Sequence, residues 1–528
     1  MSLFKKTNPR RTHLRKNIAA ERVSRMSRYL DTDLIASGLL WVIYVCLSAL
    51  VLGFDVLLAG RFRTFFGLSV INLLLYVGVA FYVFHYQRRL LKNHARAMIL
   101  GGLCLALLLL AKIGALSGHS GAFNTAWATG TAILLSIVVA IAYDQRFALD
   151  AGLTYGIFVC LGLSTRRADW PWPQLHGLGL YVTLACGVMV CSFSLKEIRK
   201  RIKLLQVGAA AGATVFVCAL AVELLTCKTS PVPMRALFEN AGWHALATLI
   251  VGPLVNEFLP LIEQSFRIAV SMTLLDYSDA NQPLLKKMAM EAPGTFSHSL
   301  MIGSIAEAGA EAIGCNGLLA RVGAYYHDIG KINKPKYFTE NEMGDQSKHA
   351  DLSPTMSQLI IIGHVKDGVE MAKEYKLPAV IRQFIESHHG TTLVEPFYFE
   401  AKKRYEEAEA SGNKPKEANP PRESEFRYSG PKPRSKEAAI LMISDAVEGA
   451  VRSLEEVTLS KVQTVIHNIV MKRLQDGQFD ECDITLRELS LVQTAMSKTI
   501  AAHYHGRIAY PKAPDEPLPE KTDKKNQD

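Results

Sequence analysis

The stretch YYHDIGKINKPKYF (325–338) sets a histidine beside an aspartate where an apolar helical run gives out, with Gly330 two residues on. An adjacent imidazole and carboxylate can serve one metal ion while the carboxylate bridges to a second. Outward from this pair stand His298, His364, the pair His388–His389 and Asp445. The five histidines and Asp328 fall within a hundred residues, in a chain with 15 His overall. One buried histidine is ordinarily a satisfied core residue, but that reading does not explain five gathered with two aspartates. Neutral imidazole and carboxylate are the ligand set of borderline divalent ions such as Fe, Mn, Co or Zn. Asp445 stands mid-helix in the apolar run LMISDAVEGAV (441–451), where an unpaired carboxylate would be costly. Metal ligation would supply its partner.

From about residue 283 onward apolar residues recur at three- and four-residue spacing, which predicts helices throughout. Pro378 opens the run Ala379–Ser387, Gly390 marks its stop, and Thr485 with Glu488 has capping-box spacing before the last helix. The Lys-, Glu- and Pro-rich stretch 401–436 reads as a solvated helix end and a loop, and 511–528 as a disordered tail.

The preceding half differs. A helix needs about 20 apolar residues to cross the hydrocarbon core, and eight runs qualify: 34–54, 64–84, 97–116, 122–142, 147–164, 174–194, 204–225 and 242–262. Asp150 and Tyr155 make the fifth the weakest. With the N-terminus inside, the inner segments carry 19 Lys/Arg and the outer ones 7, as the positive-inside rule requires. An even number of spans also returns the chain to the cytoplasm.

The net charge of +10 does not indicate a nucleic-acid polymer as partner, because residues 1–30 alone carry nine Lys/Arg against Glu21. Such a basic arm before a first span reads as an orientation signal in contact with the lipid bilayer. Nine cysteines without a CxxC spacing form neither a disulfide framework nor a zinc knuckle.

The HDIG run, together with EAPGTFSHS (291–299), LSPTMSQLIIIGHVKDGVEMA (352–372), FIESHHGTTLV (384–394), FRYSGPKP (426–433) and ISDAVEGAVRSL (443–454), resembles the membrane-bound HD metal-dependent phosphohydrolases with seven-transmembrane receptor-like regions. Members of that family cleave cyclic di-AMP. Charge and hydropathy give an all-α chain with a basic arm (1–33), a polytopic transmembrane bundle (34–266) and a tail (511–528); between the last two the resemblance implies a cytoplasmic HD-type phosphohydrolase domain (267–510). It implies two divalent ions, Mn or Fe, and hydrolysis of cyclic di-AMP to linear pApA at the inner membrane. One ion would be held by His298, His327, Asp328 and Asp445. The other would be held by Asp328, His364 and His388, with His389 a ligand or a phosphate contact. The family places a large extracellular domain after its first span; here that loop has about nine residues, so ligand sensing of that kind is not expected.

From spacing alone Lys331 reads equally as a surface lysine or a phosphate contact, and the resemblance favours a catalytic or substrate-binding role. Arg427 and Tyr428 could offer a guanidinium and a stacking ring to a nucleotide, or pin their loop. Glu448 and Arg452 share a helix face with Asp445 and have the spacing of a supporting pair. The amphipathic segment 256–290 reads as a rigid spacer, a relay from the membrane, or a surface for a second copy in a homodimer. Rival readings are hydrolysis of cyclic di-GMP, ppGpp or a dNTP, a receptor that binds nucleotide without turnover, and a transporter. The GYP element of the cyclic di-GMP group is replaced here by GTTLV (390–394).

Overall fold

Long apolar runs broken by short polar loops have one economical solution in hydrocarbon, the helix, because it satisfies every backbone group within its own segment. The computed structural model describes residues 35–87, 90–91, 93–116, 122–164, 173–195, 198, 200–227, 232–342, 348–411 and 420–505. The basic arm and the C-terminal tail lie outside these. The chain divides into two units, Met1–Met272 and Thr273–Asp528.

Among the described residues of the first unit, eight helices are long and apolar enough to cross a membrane: α1 (Ile35–Leu58), α2 (Phe62–Tyr86), α3 (His94–Leu116), α4 (Ala122–Ala142), α5 (Gln145–Ser164), α6 (Pro173–Ser194), α7 (Ile202–Thr226) and α8 (Met234–Phe266). Small residues decide which of them pack closely. In α4, Ala128 and Ala132 are fully enclosed, and Gly130 lets the helix approach Ala247 of α8. In α7 and α8, Gly208 and Gly252 meet backbone to backbone; a Cβ on Gly252 would lie 2.9 Å from the Leu204 carbonyl oxygen. By contrast α1 and α2 leave Leu39, Phe54, Phe66, Leu74 and Phe81 exposed, the surface a lipid-facing helix presents.

Two features depart from the sequence expectation. Helix α8 has 33 residues and begins at Met234, ahead of the apolar window, because the polar opening turns stay helical through an Arg235–Glu239 pair at i,i+4 spacing. Lys112, a cation within the run read as the third span, lies in α3 and is buried. Its Nζ is 2.8 Å from Asp55 Oδ1 and donates to the carbonyls of Leu52 and Gly162. That network ties α3 to α1 and α5.

The second unit comprises α9 (Ser271–Ser278), which spans the division, then α10 (Pro283–Glu291), α11 (Pro293–Ala312), α12 (Gly317–Tyr326), α13 (Pro354–Glu374), α14 (Ala379–Ser387), α15 (Glu395–Ala410), α16 (Lys436–Arg452), α17 (Leu459–Gln475) and α18 (Leu486–His505), with short 3-10 turns between α12 and α13. Starts are set by caps. Asn316, Ser353, Ser435 and Thr458 each accept an amide hydrogen bond from the first turn of the helix that follows. The Thr485–Glu488 capping box forms as its spacing predicts. The core joins α11, α12, α16, α17 and α18 through Ile305, Ala310, Ala320, Ile440, Ile443, Val447, Ile466, Val492 and Met496. Helix α16 is central, so Asp445 is carried on a rigid element.

Candidate metal centre

The His-Asp pair begins where α12 ends. His327 is the C-terminal cap residue, and Asp328 opens the 3-10 turn Ile329–Asn333. Gly330 is obligatory there: a Cβ would fall 1.9 Å from the His364 carbonyl oxygen and 2.5 Å from the Gly368 nitrogen. Bare backbone on the turn and a glycine on α13 let the segment carrying Asp328 lie against the helix carrying His364. Gly294 has a similar cause at the start of α11, where its Cβ would strike the Glu340 carbonyl. Asn341 Oδ1 accepts the amides of Gly294 and Thr295 and so caps the helix that bears His298.

The seven candidate ligands come together from five parts of the chain. Asp328 is the common member of two groups whose ligand atoms lie within 4.8 Å of one another: His298, His327, Asp328 and Asp445, and Asp328, His364, His388 and His389. Its oxygens divide between them. Oδ2 faces His327 Nε2 at 3.1 Å and His298 Nε2 at 3.8 Å, while Oδ1 faces His364 Nε2 at 3.3 Å and His388 Nε2 at 3.5 Å. Asp445 Oδ1 lies 3.2 Å from His298 Nε2, and its Oδ2 lies 3.8 Å from His389 Nδ1.

The far nitrogens fix the rings. His327 Nδ1 is 2.7 Å from the Ala324 carbonyl, His364 Nδ1 2.5 Å from Ile361, and His388 Nδ1 2.9 Å from Ile385. His298 Nδ1 is 2.6 Å from Glu448 Oε2, and Glu448 is in turn held by Arg452. Carbonyls and carboxylates only accept, so each Nδ1 carries a proton and each Nε2 faces inward. This is the outer-partner arrangement of metal-bound histidine. His327 Nε2 and Asp328 Oδ1 are buried without a hydrogen-bond partner, and the lone pairs of His364 and His388 meet at 3.2 Å. Divalent cations would resolve both, so the residues fit a pair of metal ions.

Charge follows the same geometry. Burial opposes ionisation of Asp328, but His327 and Lys331 outweigh it and hold the carboxyl well below its usual range. Burial opposes a charge on His327 as well, yet Asp328 and Asp445 push it up to about 10, so without a metal ion a proton on Nε2 takes the place that a cation would hold. Burial and the neighbouring His388 push His389 down.

Of the remaining candidates, Lys331 Nζ stands between Asp328 Oδ2 at 2.7 Å and Glu340 Oε1 at 2.8 Å, beneath the Phe338 ring. Tyr428 stacks on His389, ring centroids 4.2 Å apart and 26° from parallel. A short antiparallel contact places it there, with Tyr428 N donating to the Thr392 carbonyl and Val394 N to that of Phe426. The Arg427 guanidinium is hydrogen-bonded to Glu423, Asp476 and the Thr391 carbonyl. Glu340, Asn341 and Gln478, whose Oε1 accepts the Thr391 amide, escape sequence reasoning because they sit in loops with no periodicity to flag them.

In the sequence, a helical unit with two histidine–aspartate groups that share one aspartate follows eight helices long and apolar enough to cross a membrane. Residues 295–450 match the HD domain model, and residues 62–269 match the model described as 7TM receptor with intracellular HD hydrolase. The chain thus resembles the membrane-bound HD proteins in both of its units, and it is a multi-pass membrane protein. The second match starts at α2, so it takes in seven of the eight spans.

Among its relatives, the Bacillus subtilis protein named Cyclic-di-AMP phosphodiesterase PgpH is 39% identical over 339 residues, covering 64% of this chain and 45% of its own length. The Listeria monocytogenes protein of the same name is 45% identical over 254 residues, covering 48% of this chain and 33% of its own. The chain thus spans less than half the length of these curated relatives. The crystal structure of the Listeria PgpH HD domain in complex with cyclic-di-AMP is 45% identical, covering 43% of this chain and all of that one, with a TM-score of 0.39.

Proposed function

We propose that the chain is a membrane-anchored, metal-dependent phosphodiesterase that hydrolyses cyclic di-AMP to linear pApA at the cytoplasmic face. The observation that carries this reading is Asp328, whose two oxygens face two separate sets of inward-turned imidazoles. The names of the Bacillus and Listeria relatives support the choice of substrate. The excess of Lys/Arg on alternate loops supports an N-terminus and HD domain on the cytoplasmic side.

His298, His327, Asp328 and Asp445 would hold one ion, and Asp328, His364, His388 and His389 the other, Mn or Fe. When bound, such a pair supplies a water nucleophile at neutral pH and neutralises charge developing on the phosphoryl group. The protein supplies position. The Nδ1 anchors hold the imidazoles rigid, and Gly330 sets the depth of Asp328. Lys331 keeps a cation beside Asp328 with Glu340 as its second partner, which suits a fixed charge near a phosphate oxygen. Tyr428 and His389 form a stacked face against which a base or ribose can lie.

The full-length chain in detergent, loaded with Mn(II) or Fe(II), should convert cyclic di-AMP to pApA when incubated in parallel with cyclic di-GMP. Turnover of the guanine dinucleotide alone would overturn the substrate assignment. An Asp328→Ala variant active at the wild-type rate would remove the two-ion reading.

A further inference from the structure

Arg473 lies in the last turn of α17, half-buried, with its Nε enclosed and without a hydrogen-bond partner. Three acids and one tyrosine act on it electrostatically: Asp445, Asp476, Glu395 and Tyr428. Each acid is already engaged. Glu395 pairs through both oxygens with Lys472, at 2.5 and 2.6 Å. Asp476 pairs through both oxygens with Arg427, at 3.0 and 3.1 Å. Asp445 faces His298 and belongs to one of the two candidate ion sites. Among the described residues, no ion pair involves the Arg473 guanidinium. A partly buried cation whose neighbouring acids are taken is costly unless something anionic completes it.

Its place says what that anion would be. The fourth neighbour, Tyr428, stacks on His389, which is the most exposed of the five cluster histidines. The segment that ends α17 packs on the turn carrying His389, since Gln478 Oε1 accepts the Thr391 amide and a Cβ on Gly390 would stand 2.4 Å from that oxygen; Arg473 is therefore carried on an element seated beside the candidate centre. Burial outweighs those acids and draws its pKa below the ordinary arginine value. Arg427, the arginine that the sequence makes prominent, has no donors left to offer, whereas Arg473 has. Nothing in the run MKRLQDG (471–477) singles Arg473 out, because two bases in the last turn of a helix are what the helix dipole favours anyway.

We infer that Arg473 binds the substrate, its guanidinium taking non-bridging oxygens of a phosphodiester held at the metal centre. The inference rests on the phosphodiesterase reading and adds to it the residue that recognises the oxyanion. Planar guanidinium donors match two phosphate oxygens at once, which an ammonium cannot do.

The test uses the full-length chain in detergent as wild type, Arg473→Gln and Arg473→Lys, with two readouts. The first is steady-state hydrolysis of cyclic di-AMP with Mn(II). Loss of a charged hydrogen-bond partner should raise KM about ten- to a hundredfold in Arg473→Gln, with bound metal unchanged and partial recovery in Arg473→Lys. The second is the thermal midpoint with and without inorganic phosphate, in EDTA so that no metal mediates binding. Phosphate should raise the midpoint of the wild type and not that of Arg473→Gln. Without phosphate, Arg473→Gln should melt no lower than wild type, since an unpaired buried charge has been removed; an arginine serving only the fold would melt lower. If the wild type hydrolyses cyclic di-AMP while Arg473→Gln keeps the same KM and the same phosphate response, the arginine assignment is wrong and the phosphodiesterase reading survives. If the wild type hydrolyses no cyclic dinucleotide but its phosphate response vanishes in Arg473→Gln, the reverse holds: the anion site stands and the enzyme reading falls.

Discussion

His364 and His388 point their Nε2 atoms at each other across 3.2 Å, while the Nδ1 of each is held by a carbonyl of its own chain segment. Two lone pairs so placed repel, and both rings are pinned against turning away. Their spacing suits two ligands of one ion, each about 2.0–2.1 Å from it.

Removing metal should therefore cost stability as well as activity. With free ion a hundredfold above its Kd, the bound state gains about 2.7 kcal/mol, so chelation should lower the melting midpoint by roughly 5–10 °C. Calorimetry of the full-length chain with Mn(II) and with EDTA measures it. Equal midpoints would mean that the cluster binds no ion.

Glu448 is the second residue whose loss should be felt at a distance. Its carboxylate receives His298 Nδ1 at 2.6 Å and is itself anchored by Arg452. A Glu448→Gln variant should lose about 10–100-fold in metal affinity or activity, and excess metal should restore part of the rate. A metal titration identical to wild type would show that His298 needs no such support.

Gly330→Ala alters no ligand and no charge. Because the new Cβ would stand 1.9 Å from the His364 carbonyl oxygen, the Asp328 turn must move off α13. The expected cost is about 1–3 kcal/mol or more, together with loss of bound metal measured by elemental analysis. Retention of both metal and stability would refute the contact.

Arg427→Ala separates loop pinning from substrate binding. Burial resists a charge on Asp476, but its contacts with Arg427 and Gln478 outweigh burial and hold the carboxyl below its ordinary range. A carboxyl lowered in the folded state stabilises the fold above its unfolded pKa of about 3.9. That contribution disappears as the pH falls through the folded value. The variant should lose about 1 kcal/mol at pH 7, and its stability should approach that of wild type as the pH drops below about 4. A deficit that stays constant across this window would point to lost packing rather than to the ion pair.

The sequence alone determined the helical class, the number of spans and the identity of the seven polar residues worth watching. Hydropathy runs, caps such as Ser353 and Thr485, and the His327–Asp328 dipeptide are short-range signals, complete within one or two turns of chain. Tertiary structure decided what those signals cannot contain. It put Lys112 into a buried pair with Asp55, which hydropathy along the chain does not reveal. It seated Glu340 against Lys331 and Gln478 against Thr391, and it occupied Arg427 while leaving Arg473 without an ion pair among the described residues. Asp328 and His388 lie 60 residues apart, and His298 and Glu448 lie 150 apart. No periodicity spans such distances. Which base meets which acid is settled only when helices pack and each buried charge takes the partner within reach.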